Sequence, residues 1–164
     1  VADYWESVVT INRYQQERFI GNMLGAMFNT LAGKKICLWG FSFKANTGDT
    51  RESPAIFIAS RLLEEHAELI VSDPKALKNA RADLAGAGGI VSYVEDPSRA
   101  AEGCHAIVLL TEWDLYRDLD FPRIFDSMAQ PAFVFDGRNI LDHRRLFDIG
   151  FNVYPVGKPP LTHF

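Results

Sequence analysis

Three features of this 164-residue sequence predict a doubly wound α/β domain, a parallel sheet preceded by a long helix. From Gly33 onward, short β-rich runs alternate with helical stretches, the order that builds parallel strands joined by crossover helices. Residues 106–110 and 132–135 are apolar without alternation, as strands are when helices cover both faces of a sheet. Ahead of them, apolar residues from Trp5 to Leu31 recur mostly at three- and four-residue spacing with no proline.

That opening pattern predicts one amphipathic helix over 3–31, and it starts without a cap, as if the segment continued upstream. Gly21 and Gly25 lie four apart on it, either for close approach of another helix or as tolerated surface glycines. Strands are expected at 35–39, 68–72, 89–93, 105–110, 132–135 and 151–154, and helices at 54–66, 74–85, 97–102, 121–128 and 143–149. The chain divides into a helix over 1–32, a domain over 33–154 and a proline-rich tail over 155–164.

Composition narrows the functional class. A net charge of −4 argues against a nucleic-acid binder, because phosphate-backbone recognition requires a basic face. With no long apolar run and no signal peptide, the sequence reads as a soluble, cytoplasmic protein without a membrane partner. Cys37 and Cys104 have no metal-ligand or redox spacing. Cys37 reads as a small buried hydrophobe. Cys104 precedes His105, but neighbours at the mouth of a strand face opposite ways, against a catalytic dyad. No carboxylate pair, histidine cluster or Ser/His/Asp set is present, so no catalytic residue is assigned.

The connection from Gly40 to Ser53 holds most of the functional information. Strand-to-helix links usually run two to six residues, and this one is far longer, polar, and carries Lys44 and Arg51. Ser53 followed by Pro54 reads as an N-cap and a first helical residue, so those cations sit near the positive end of a helix dipole. Either an anion such as a phosphate gathers them, or they are solvated charges with Arg51 paired to Asp49 or Glu52. Ser42 and Ala45 stand where a G-x-G-x-x-G motif would place its later glycines, so that dinucleotide fingerprint is absent. Asp73, before Pro74, is either a ribose-binding acid at the second strand end or a helix cap. Arg138 follows a glycine at the same sheet edge as Lys44 and either faces the same ligand or pairs with Asp136 or Asp142.

Four ordered motifs then carry a resemblance: Gly40-Phe41-Ser42-Phe43-Lys44, Thr47 through Arg51-Glu52-Ser53-Pro54, Thr111-Glu112-Trp113 and Phe135-Asp136-Gly137-Arg138. Together with Tyr4-Trp5 and Phe28-Asn29-Thr30 around the long helix, they resemble the C-terminal domain of the UDP-glucose 6-dehydrogenase family over nearly the whole chain. The resemblance implies a Rossmann-like UDP-sugar domain behind a central helix that builds a homodimer, and NAD held by a missing N-terminal domain. It implies that Phe43, Lys44 and Arg138 contact UDP-glucose and that Arg51 reaches across to NAD. The family's catalytic cysteine lies in an upstream glycine-rich segment, and neither Cys37 nor Cys104 occupies that motif. Related members that take UDP-N-acetylmannosamine or GDP-mannose share several of the motifs. A non-enzymatic nucleotide-binding module is the remaining alternative.

Overall fold

The computed structural model describes residues 2–164, with side chains from Arg13 onward, so Tyr4, Trp5, Val8 and Val9 lie outside the described side chains. Helix α1 (Ala2–Ala26) leads to β1 (Lys35–Trp39), α2 (Pro54–Glu64), β2 (Glu68–Ser72), α3 (Leu77–Asp83) and β3 (Val91–Tyr93). A second half follows: α4 (Pro97–Ala100), β4 (Ala106–Leu109), a 3₁₀ turn (Asp114–Asp118), α5 (Phe121–Ser127), β5 (Phe133–Asp136), α6 (His143–Ile149) and β6 (Asn152–Pro155). The strands order as β3-β2-β1-β4-β5-β6, and every ladder is parallel. The order reverses between β1 and β4, which puts the switch point of a doubly wound sheet where ligands collect beyond the strand ends.

Alternation along each strand divides the interior into two apolar layers. Ile36 and Leu38 face one layer with Ile20 and Met23 of α1, Met27 just beyond it, and Ile58 and Leu62 of α2. Cys37 and Trp39 face the other with Ile124 of α5 and Leu146 of α6. Trp39 stacks on Tyr116 at 5.2 Å between ring centres, and its indole N–H donates to Pro97 O, so a large aromatic is buried with its polar atom satisfied.

Helix α1 stops at Ala26 rather than Leu31, because Phe28 and Asn29 adopt φ of 65° and 64°. Two successive left-handed residues cannot continue a right-handed helix. Lys34 closes the stop by donating its ammonium to Thr30 O at 2.6 Å. Strand β3 begins two residues later than expected, since Gly88 and Gly89 take φ of 73° and 76°. Gly21 and Gly25 have open space where a Cβ would sit, so nothing within the described chain presses on them. Residues 155–164 fold back onto β6: Leu161 and Val153 exchange hydrogen bonds of 2.9 and 2.8 Å, and Phe164 meets Phe28 and Phe133. Among the described residues no helix is long and apolar enough to cross a membrane, and no group of three or more His, Cys, Asp or Glu could hold a metal ion.

Candidate functional site

The long loop leaves β1 through Gly40, whose φ of 95° suits a residue without a Cβ. A Cβ there would meet Thr111 Cβ at 2.5 Å and Thr111 N at 2.8 Å, so the glycine also lets the loop lie directly on the end of β4. Thr111 Oγ1 donates to Ser42 O at 2.8 Å, and Ser42 Oγ donates to Lys44 O at 2.9 Å. The loop closes at its far end, where Ser53 Oγ donates to Phe41 O and accepts from Ala55 N as the N-cap of α2. Ser53-Pro54 thus opens the helix as its sequence predicts.

The expected contact residues occupy different parts of this frame. Phe43 is 42% exposed although its N–H is fixed by Asp49 O at 2.7 Å. Lys44 is exposed and its ammonium has no partner among the described residues. Arg51 lies on the return limb, its side chain 88% exposed and held by Asp49 through Nε at 3.0 Å and Nη2 at 2.8 Å. The Arg51 hydrogen bonds pull the Asp49 carboxyl down to about 2. The pairing of Arg51 with Asp49 read from the sequence is therefore present.

Arg138 does not pair with Asp136 or Asp142 through its side chain. Its Nε donates to Leu110 O at 3.0 Å and stands 3.2 Å from Glu112 Oε2, an ion pair in which the hydrogen points at the carbonyl. The guanidinium lines a cavity of about 200 Å³ together with Pro54, Ile58, Leu110, Gly137 and Phe19. Pro54 is the first residue of α2, so this cavity joins a fixed cation to a helix N-terminus, two features that attract an anion. Phe43 and Lys44 do not line it; they belong to the loop that leaves β1 beside the β1/β4 switch. A larger cavity of about 480 Å³ lies beyond β2 and β3, but its exposed Glu95, Asp96 and Arg99 carry both signs and make no net field for an anion.

Two buried carboxylates hold the loops. Asp73 at the end of β2 accepts from Phe41 N at 2.8 Å, Ser42 N at 3.0 Å and Trp113 Nε1 at 3.3 Å through Oδ2, and from Lys75 N at 2.8 Å and Ala76 N at 2.9 Å through Oδ1. Asp73 is therefore not the N-cap expected of it: α3 starts at Leu77 rather than Pro74, its N-cap is Ala76 without a side-chain bond, and Asp73 closes the turn ahead of the helix instead. Both oxygens are occupied, which leaves Asp73 no lone pair directed to a ribose. Asp136 accepts from Arg138 N, Asn139 N and Leu141 N at 3.0, 2.7 and 3.0 Å, and His143 Nε2 lies 2.8 Å from its Oδ2. The positioning parts played by Asp73, Asp136, Glu112 and Trp113 were not assigned from sequence. A buried acid at a strand end next to proline or glycine was the available signal.

The cysteines lie away from this edge. Both are wholly buried in the second apolar layer, Cys104 Sγ donates to Ala100 O at 3.3 Å, and His105 Nδ1 accepts instead from Lys35 N at 3.1 Å. No Cys/His dyad forms between them. Burial pushes the Cys37 thiol up, and the hydrogen bond from Cys37 pulls Cys104 down.

Residues 37–143, which include the loops carrying Lys44 and Arg138, match the family described as "UDP-glucose/GDP-mannose dehydrogenase family, UDP binding domain". The chain belongs to this family. It is 46% identical over 98% of its length to UDP-glucose 6-dehydrogenase of Caenorhabditis elegans, and 44% identical over 96% to UDP-glucose 6-dehydrogenase 1 of Arabidopsis thaliana. It spans only 35% and 37% of those relatives. A UDP-glucose dehydrogenase structure from Pyrobaculum islandicum superimposes with a TM-score of 0.69 at 29% identity, over 89% of this chain and 32% of that one. Within the family's UDP binding domain, the cavity at Arg138 and the Lys44 loop are the features whose chemistry suits a diphosphate.

Proposed function

We propose that this chain is the UDP-sugar-binding part of an NAD-dependent UDP-glucose 6-dehydrogenase, which oxidises UDP-glucose to UDP-glucuronate. One observation carries the reading: the N-terminus of α2 and Arg138 share a cavity, and the loop carrying Lys44 leaves the same sheet edge, where the strand order reverses. The relatives named for UDP-glucose, at 44–46% identity, support that sugar over the others. In this reading Arg138, beside the positive end of the α2 dipole, receives the diphosphate, Lys44 adds a mobile charge from the neighbouring loop, and exposed Phe43 offers a ring face to the ligand.

The residues of this chain do not fit the adenosine half of NAD. Asp73, where a ribose acid would stand, has both oxygens bound to N–H groups, and the glycine fingerprint is missing. The cofactor is held elsewhere in the enzyme, with Arg51 as this chain's reach toward it. The oxidising chemistry needs a nucleophile from outside this chain as well, since both of its cysteines are buried in the core. The segment 1–32, whose helix ends at Ala26, is assigned to pairing of two subunits, 33–154 to the nucleotide-sugar domain, and 155–164 to a tail that returns onto β6.

Calorimetry of this chain with UDP, UDP-glucose and GDP-mannose tests the proposal. UDP and UDP-glucose bind more tightly than GDP-mannose, and Lys44→Ala and Arg138→Ala each weaken UDP about tenfold, as expected for loss of a charge-assisted contact. Unchanged UDP affinity in both variants removes the two cations from the site and overturns the reading.

A further inference from the structure

The end of β2 is where an open α/β dinucleotide domain offers an acid to a ribose. Here that acid is turned inward. Asp73 is 1% exposed and its five accepted hydrogen bonds come from three places: the start of the β1–α2 loop, the turn after β2, and the indole of Trp113 beyond β4. Two of the donors, Phe41 N and Ser42 N, immediately precede Phe43 and Lys44. Ser42 then passes the constraint forward by donating to Lys44 O, while Thr111, two residues before Trp113, donates to Ser42 O from the same side as Trp113.

We infer that Asp73 is a positioning residue for the nucleotide-sugar site, and that Trp113 completes its clamp. The inference rests on the UDP reading above. Adjacent backbone N–H groups aimed at one carboxylate oxygen fix the direction in which the chain leaves β1. Without that anchor the Lys44 ammonium samples a wide volume, and ordering it on a diphosphate then costs binding free energy. Asparagine cannot replace the acid, because its amide would set N–H groups against N–H donors on one side. The tripeptide Thr111-Glu112-Trp113 thereby touches both cation-bearing loops. Its outer members brace the Lys44 loop, and Glu112 stands against Arg138.

The test is amide hydrogen exchange and UDP titration of this chain by NMR, with thermal unfolding recorded alongside. Asp73→Asn is expected to speed exchange at Phe41 and Ser42 by about tenfold or more, leave Val134 and Phe135 of β5 protected, and weaken UDP about tenfold. Trp113→Phe, which removes one donor and keeps a ring, moves the same readouts about two- to threefold and decides the matter if Asp73→Asn does not fold. A merely structural role would instead lower the melting temperature, raise exchange across the whole sheet and leave the folded protein's UDP affinity unchanged; that result overturns the inference. Failure of the UDP reading looks different: Lys44→Ala and Arg138→Ala leave UDP binding untouched, while the exchange pattern still reports on the clamp.

Discussion

The loop after β1 and the turn after β5 perform the same task by different means. Each begins with a glycine pressed on β4: a Cβ on Gly40 would meet Thr111 N at 2.8 Å, and one on Gly137 would meet Leu109 O at 2.8 Å. Each carries a cation, and each hangs from a buried carboxylate. Asp136 serves its own turn, taking the N–H groups two, three and five residues ahead of it. Asp73 serves a loop that precedes it by some thirty residues and must reach it across the sheet. A short turn caps itself, whereas a long loop needs neighbours on both sides, and the result shows in the cations. Arg138 is fixed against Leu110 O, while Lys44 remains free in solvent.

The sharpest way to break this comparison is at the self-contained turn. Asp136→Asn leaves at least one of the three backbone N–H groups around this buried side chain facing an amide N–H, and should cost about 2 kcal/mol of stability in chemical denaturation. Gly40→Ala comes next. It forces a Cβ into Thr111 at a left-handed φ, with an expected loss of about 2 kcal/mol and a displaced Lys44 loop visible as amide shifts at Ser42 and Phe43. A smaller effect separates the two cations. Raising salt should erode the Lys44 contribution to UDP affinity more than the Arg138 contribution, because the exposed charge is screened more completely, and calorimetry on the two alanine variants at several ionic strengths measures it. An equal salt dependence would mean that Lys44 is as buried as Arg138 in the complex.

The smallest expected effect is at the outer limb of the loop. Arg51 holds the Asp49 carboxyl near 2, below its unfolded value of 3.8, so the pair's contribution is complete above about pH 4 and is lost as pH falls through about 2. Both groups are solvent-exposed, so Arg51→Ala should leave stability nearly unchanged while returning Asp49 to the ordinary carboxylate range in an NMR titration. A large stability loss would show that the limb is more rigid than its exposure implies.

Local signals made most of the fold legible. Uninterrupted apolar runs located the strands, and Ser53-Pro54 marked a helix start that formed as read. The placement of Lys44 and Arg138 beyond the carboxyl ends of their strands also followed from sequence, because the alternating pattern makes those strands parallel. What escaped depends on tertiary partners. Nothing near Asp73 in sequence says that Phe41, Ser42 and Trp113 will donate to it. The early stop of α1 rests on two left-handed residues, neither of them glycine, and on the reach of Lys34. The 3₁₀ turn at Asp114–Asp118 has no strong periodicity of its own and is held by the stacking of Tyr116 on Trp39.

The return of Leu161 onto Val153 has a bearing on how copies of this protein can meet. One margin of the sheet ends in a strand of only three residues, and the other is occupied by the chain's own antiparallel segment. Neither border offers a long row of unpaired amides, so strand-to-strand addition of a second molecule is disfavoured at both margins.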